Sequence, residues 1–482
     1  MKGLLKRSEC TTGHLLVPVF VLLLVVLSAC KQEQFLTNPG NALSFSHDTV
    51  SFDTIFAQKG SVTAWIRLRN NSNQPILIQS IRLKSNGLSG YQLNLDGAPG
   101  LRFDRVEIPP KDSLYVFVTI NGALHPNFET VIQTDSILFE TDGPLKVLPL
   151  KTTVLSPLEW KAKTIESDTT LHADRPYLIV DSLVIAKDAV LTIQPGTTLY
   201  FHDKAYLKVD GRLLAQGTSS ARIRFRGDRF DFVIPDFPYD FYPGQWGYIR
   251  FTGTSYLNQL NFVDIHGANV GVVMDSSDLN TNKLEIRNAF IHNMIRSAMI
   301  SKHAAFQVYN AQITNSGEFA VDIQGGKFDF IHCTIANYQN LVTRTGGAFS
   351  LSNTNLINND PTRYLPVEGL LQNCIVAGNS FSEMFLNKQD PSTWSLTFDH
   401  CLLPDGEFEE MAMLDSCIFE ADPKFLKLGS FAEKYIFDFR IDSTSKARDA
   451  GKIQTKIPLD ADITGVSRNL DGKPDIGAYE WH

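Results

Sequence analysis

Six cysteines are spread over 482 residues, and no two are spaced as C-x-x-C. No His-rich spacing accompanies them, so the common zinc modules are excluded and no metal set is expected. Between residues 43 and 156 there is no cysteine at all, which excludes a disulfide-pinned antibody type of sandwich there. G-x-S-x-G, a phosphate loop and a dinucleotide fingerprint are all missing. Basic charge is not in excess. The formal net charge is −8, which argues against nucleic acid or an anionic membrane surface as a partner. Helical periodicity is missing from the long central stretch, and so is the Leu-x-x-Leu-x-Leu signature of a leucine-rich horseshoe. With 43% hydrophobic and 20% charged residues, the composition is that of a globular protein with length for two domains.

What the chain does have is a repeat between about Asn261 and Asp405. Its instances are Asn288-Ala-Phe-Ile-His-Asn293, Asn310-Ala-Gln-Ile-Thr-Asn315 and His332-Cys-Thr-Ile-Ala-Asn337, then Asn353-Thr-Asn-Leu-Ile-Asn358, Asn373-Cys-Ile-Val-Ala-Gly378 and His400-Cys-Leu-Leu-Pro-Asp405. Steps of roughly 20 to 27 residues mark a solenoid. Alternating apolar pairs precede each Asn or His: Leu284 and Ile286, Phe306 and Val308, Phe328 and Phe330, Phe349 and Leu351, Leu396 and Phe398. Period two is that of a strand with one buried face. After the corner the inward set resumes with Ala289, Ala311, Cys333, Thr354, Cys374 and Cys401, then Ile291, Ile313, Ile335, Leu356, Val376 and Leu403. Each coil therefore reads as strand, sharp corner, strand, with a short polar side chain at the corner. His332 and His400 take the place of Asn in that ladder, and His266 and His292 precede corners. Cys333, Cys374 and Cys401 replace Ala and Thr in one inward column and read as buried free thiols. Cys417 lies beyond it.

These coils resemble the right-handed parallel β-helix family, which includes pectate-lyase-like enzymes and many non-enzymatic surface proteins. The expected fold is all-β: an immunoglobulin-like β-sandwich over 43–156 followed by a β-helix over 157–482. The coils should begin near Tyr177, with a closing cap over about 405–482. The sandwich rests on alternating runs such as Val62–Leu68, Ile76–Leu83 and Tyr115–Ile120 separated by turn residues. It resembles the immunoglobulin-like domains that precede β-helices in bacterial lipoproteins and reads as a spacer or docking module.

The first thirty residues read as a leader. Lys2, Lys6 and Arg7 precede the apolar run Leu15–Leu27, which is followed by Ser28-Ala29-Cys30. Leu-Ser-Ala-Cys resembles the bacterial lipobox, which implies lipid on Cys30, membrane attachment through it and an outer-membrane lipoprotein, periplasmic or surface-exposed. Residues 31–42 form a tether. Lys31-Gln-Glu-Gln34 resembles the charged export signals of Bacteroidetes lipoproteins. Loss of residues 1–29 removes three bases and one acid, lowering the net charge by a further two units.

Candidate chemistry concentrates around an insertion at 227–246, rich in aromatics and aspartate. Ile223-Arg-Phe225 and Ile249-Arg-Phe251 read as one strand on successive coils, which would place Arg224 and Arg250 side by side, with Val273, Met299 and Asp322 continuing the column. Stacked cations call for an anion: either the insertion's aspartates or an acidic sugar. Lys208, Arg224 and Arg250 are the weak catalytic candidates of a lyase, which must neutralise a uronate carboxylate and abstract the proton beside it. Asp228, Asp231 and Asp236 offer oxygen ligands to calcium, the one cofactor considered. Arg224, Arg250, Tyr239 and Tyr242 are glycan-binding candidates, whereas Trp246 reads as structural. Binding or scaffolding toward polysaccharide ranks first. A polysaccharide lyase or glycoside hydrolase is the alternative, and an adhesin toward protein is a third reading.

Overall fold

The computed structural model describes residues 34–482 except 126–129, 235–236, 355–363, 381, 405, 407, 431–432, 455–456, 458 and 470–471. Cys30, Asp236, Leu356 and Asn358 lie outside the described residues, as does the leader. Among the described residues, no helix is long and apolar enough to cross a membrane. Contacts divide the chain into two units near residue 152.

The first unit is built on two five-stranded sheets. One runs Leu43–Phe45, Ala64–Asn70, Ser113–Ile120, Tyr91–Leu95 and Ala98–Gly100 in spatial order, paired antiparallel. The other includes Ile76–Leu83 between Arg102–Ile108 and Thr130–Glu140. Strict alternation along these strands buries Ile66, Leu68, Val116 and Val118 from one sheet and Ile78, Ile81 and Phe139 from the other. Phe45 meets Phe139 with ring centroids 4.8 Å apart, so the two sheets form a sandwich. The outward residues Trp65, Tyr115 and Phe117 form an exposed row of rings.

The second unit is an all-β parallel β-helix. Register alone sorts its strands into three faces. Face I contains Ile223–Gly227, Val263–His266, Phe290–Met294, Gln312–Ser316, Thr334–Asn337 and Ile375–Gly378. Face II contains Ile249–Phe251 and Val272–Met274, then the first halves of Met299–Tyr309 and Val321–Ile331, then Phe349–Ser352. Face III contains Asn258–Asn261 and Leu284–Arg287, the second halves of those long strands, Val367–Gln372 and Trp394–Asp399. Parallel pairing begins at Leu158–Ile165, one coil before the expected start near Tyr177. The inward positions Leu284, Ile286, Ile291, Phe306, Val308 and Ile313 are all buried in one continuous core.

The corner from face III to face I carries the polar residue. Asn288, Asn310, His332, Asn373 and His400 all adopt φ between 51° and 56°, the left-handed region that Asn tolerates better than most non-glycine residues. Asn288 Nδ2 donates to Asn261 Oδ1 at 2.9 Å and Asn310 Nδ2 to Asn288 Oδ1 at 2.6 Å. Asn373 Nδ2 lies 2.8 Å from His332 Nε2. The ladder is real but interrupted between Asn310 and His332.

Asn353 is not a member of this corner. It follows the face II strand Phe349–Ser352, so Phe349 and Leu351 belong to face II and Thr354 is not in the inward column. The true partner of Phe328 and Phe330 is Val367–Gln372. There Gly369 lies opposite Phe328, and a Cβ on it would come within 2.5 Å of that ring. Cys333, Cys374 and Cys401 do share the inward column as free buried thiols, and Cys417 is free as well.

The closing segment was expected as an end cap, yet from Phe437 it lies along the outer surface of face I. Arg222 Nη2 donates to the carbonyl of Ile463, Ala478 N to Thr334 Oγ1, and Gly477 N to the carbonyl of Asn373. Ile463, Ile476, Ala478 and Phe439 pack there with Ala336, Ile375 and Leu402 in a second core. Arg468 enters the gap in the corner ladder, donating to Asn310 Oδ1 at 2.6 Å and to Glu480 Oε1 at 2.5 Å. Both charged partners are buried.

Candidate functional site

The outer surface of face I carries two side-chain ladders, set by the period of two along each strand. One runs through Arg224, Asp264, Phe290, Gln312 and Thr334. The other passes through His266, His292, Thr314 and Ala336. Asp240, from the insertion, joins the second ladder. Arg226 Nη2 lies 2.9 Å from Asp240 Oδ1, and that carboxylate lies 2.9 Å from His266 Nε2. His266 Nδ1 in turn is 2.9 Å from Asp264 Oδ1, which is also 3.2 Å from His292 Nε2. The two imidazoles stack with centroids 5.1 Å apart.

The buried His266 presents both ring nitrogens to carboxylate oxygens. Ionised carboxylates only accept, so both nitrogens carry hydrogen and the ring is an imidazolium. Burial opposes that charge, but Asp264 and Asp240 outweigh it and push the ring up to about 10. Burial likewise opposes ionisation of Asp264, yet His266 and His292 hold it well below the usual carboxylate range. Within these contacts Arg226 and His266 face the carboxylates of Asp240 and Asp264, with Arg224 opposite Asp264 on the neighbouring strand.

Beside it opens a cavity of about 250 Å³. His292, Gln312, Thr314 and Asn315 line it from the coils, Phe241 from the insertion, and Tyr435 and Tyr479 from the closing segment. Phe237 of the insertion meets Tyr435 at 5.0 Å, which joins two walls. Gln312 Nε2 donates to Thr314 Oγ1 at 3.2 Å, and Gln312 Oε1 accepts from the Tyr479 hydroxyl. Asn293 also lines the cavity. Its Nδ2 donates to the Phe241 carbonyl at 3.1 Å, while its Oδ1 is buried with no hydrogen-bond partner. A buried acceptor without a donor costs about 1–3 kcal/mol.

The residues singled out from sequence are scattered by comparison. Arg224 is exposed on face I beside Asp264, whereas Arg250 lies on face II between Lys208 and Val273. The two arginines are not neighbours in one column, and Ile300 rather than Met299 continues the column of Arg250. The like-charged pair in register is Lys208 with Arg250, and each has its own counter-ion: Asp210 at 2.8 Å and Asp275 at 2.9 Å. Among the described residues, the insertion's Asp228, Asp231 and Asp240 pair with groups other than Arg224 and Arg250. Asp228 binds His202 Nδ1 at 2.7 Å, and Asp231 pairs with Arg229. With their oxygens committed to different partners, Asp228 and Asp231 make no common calcium site. Tyr239 lies under the Arg229 guanidinium, 3.6 Å from it, and Tyr242 packs on Tyr239. Trp246 is structural: it is buried, stacks on Phe201 at 4.4 Å and donates its Nε1 to the His266 carbonyl at 2.8 Å.

No protein-family model matches the chain. Protein bark beetle of Drosophila melanogaster is 37% identical over 84 residues, which is 17% of this chain and 3% of that protein. The chain therefore spans a very small part of that relative's length. Among solved structures, pectate lyase Pel9A is similar over 68% of this chain and 86% of its own, with TM-score 0.34 and 10% identity. A family 123 glycoside hydrolase from Clostridium perfringens covers 25% of this chain and 26% of its own, with TM-score 0.17 and 13% identity. These likenesses are too slight to carry an argument about chemistry.

Proposed function

We propose that this chain is a cell-envelope binding protein that holds a neutral sugar unit against face I of its solenoid, tethered by lipid on Cys30. The observation that carries the reading is the lining of the cavity. Aromatic rings of Phe241, Phe290, Tyr435 and Tyr479 alternate with the amides and hydroxyls of Asn293, Gln312, Thr314 and Asn315. Rings suit the C–H faces of a pyranose, and amides suit its hydroxyls. The volume lies just below the roughly 300–1,000 Å³ of drug-sized sites, which fits one sugar residue rather than a long chain. No Lys, Arg, Asp or Glu is among the described lining residues, which favours a neutral sugar. The motive for a uronate clamp is also removed, since Arg224 and Arg250 lie on different faces. Arg224 stands apart from the Lys208–Arg250 pair, each member of which has its own counter-ion in Asp210 or Asp275.

The test is a glycan array followed by calorimetry on the soluble chain. Neutral hexose or N-acetylhexosamine ligands should bind, and Gln312→Ala should weaken them by about tenfold, the loss of one or two hydrogen bonds. Binding confined to uronate polymers and abolished by Arg224→Gln would overturn the reading. Attachment is checked separately: Cys30→Ala should move the protein from the membrane to the soluble fraction.

A further inference from the structure

We propose that Asp264, His266 and His292 form a site for one divalent transition-metal ion, zinc in the first instance, with Asp240 orienting His266. The three side chains come from adjacent coils, and their donor atoms lie within 4.8 Å of one another. Asp264 Oδ1 is 2.9 Å from His266 Nδ1 and 3.2 Å from His292 Nε2. Ligands about 2.0–2.1 Å from a tetrahedral zinc stand about 3.3 Å apart, close to these two separations, and binding would displace the hydrogens that His266 Nδ1 and His292 Nε2 give to Asp264, releasing them to solvent. Two imidazoles with one carboxylate suit zinc and its first-row neighbours, whereas calcium and magnesium favour oxygen alone.

The surroundings supply what such a site needs beyond three ligands. Metal-bound histidines almost always give their second nitrogen to a carboxylate or carbonyl. His266 has Asp240 in that position, 2.9 Å from Nε2, and Asp240 is held in turn by Arg226. Three protein ligands leave a coordination position open to water. His292 lines the cavity, and so does the buried Asn293, whose Oδ1 has no hydrogen-bond partner. A metal-bound water would bring a strong hydrogen-bond donor to that cavity. The second His-carboxylate grouping, Asp399, His400 and Asp415, serves as an internal contrast. Its Asp399 is engaged by Lys452 at 2.8 Å and by Gln372, and Asp415 is exposed. The inference does not depend on the sugar reading, and neither result decides the other.

The same spacing would arise if the cluster were only a hydrogen-bonded ionic network, and the experiment separates the two. The untagged full-length chain is titrated with cobalt(II) and then challenged with zinc. One equivalent of cobalt should give the visible absorption of a four-coordinate ion, and zinc should abolish it. His292→Ala, at a partly exposed position, should lower zinc affinity by at least about 100-fold, with circular dichroism confirming that the variant folds without metal. Asp240→Asn should lower it by about 10–100-fold, the usual effect of losing an orienting partner, and His400→Ala should leave it unchanged. No stoichiometric uptake at micromolar protein would overturn the site, as would an affinity that His292→Ala does not alter. Either result would leave the cluster as an ionic network alone.

Discussion

Replacing His332 by Asn should make the solenoid more tolerant of acid. His332 stands at the III-to-I corner, about 1% exposed, and its Nε2 is 2.8 Å from Asn373 Nδ2. An amide nitrogen only donates, so Nε2 is the acceptor and the ring is neutral. Burial, with the Arg468 guanidinium nearby, holds the imidazole well below its ordinary value. Below pH 6.5 the unfolded chain therefore takes up a proton that the folded chain refuses, and stability falls as pH falls. The slope is at most about 1.4 kcal/mol per pH unit, so going from pH 6.5 to 5 costs about 2 kcal/mol. Asn at this position should adopt the same φ, as Asn310 and Asn373 do, and its Oδ1 can accept the Asn373 bond as Asn288 Oδ1 accepts that of Asn310. Urea unfolding of both proteins at pH 7.5 and pH 5 gives the comparison. The wild type should lose about 2 kcal/mol more than the variant over that interval. Equal losses, or a His332 resonance titrating near pH 6.5, would refute the reasoning.

Two further outcomes concern the packing. Ile313→Ala should cost about 2–5 kcal/mol in chemical denaturation, because Ile313 is fully buried between Ile291 and Ile335 on adjacent coils. Arg468→Ala should cost about 1–3 kcal/mol by removing the buried bonds to Asn310 Oδ1 and to Glu480, whose carboxyl burial pushes up to about 8. Hydrogen exchange should then quicken first in residues 437–482.

The corners were legible because their demand is local. A left-handed φ favours a short polar side chain wherever it occurs, and Asn288, Asn310, His332, Asn373 and His400 answer it one by one. Face membership was not legible. All three faces share the same inward–outward alternation, so Ile223-Arg-Phe225 on face I and Ile249-Arg-Phe251 on face II look alike in sequence. Asn353 misled for a related reason: it falls at the right interval after His332, but it follows a face II strand, and the next III-to-I corner is Asn373. The cluster at Asp264, His266 and His292 emerges from register alone. The one trace of it in sequence is that Ile265 and Ile291 are successive inward residues, which makes the histidines that follow them neighbours. The docking of the closing segment left no periodic trace, since its partners are side chains from separate coils.

Solenoids usually couple each coil only to its neighbours, so they can open piece by piece from either end. Here residues 437–482 touch coils from Arg222 to Asp399, and no earlier stretch of chain can make those contacts. During synthesis the coils must stack before this strap is made. A nearest-neighbour array thus becomes a clasped solenoid only once this strap has been made. Force applied at residue 482 would meet the clasp first, and the coils would lose their shared restraint only after it had peeled away.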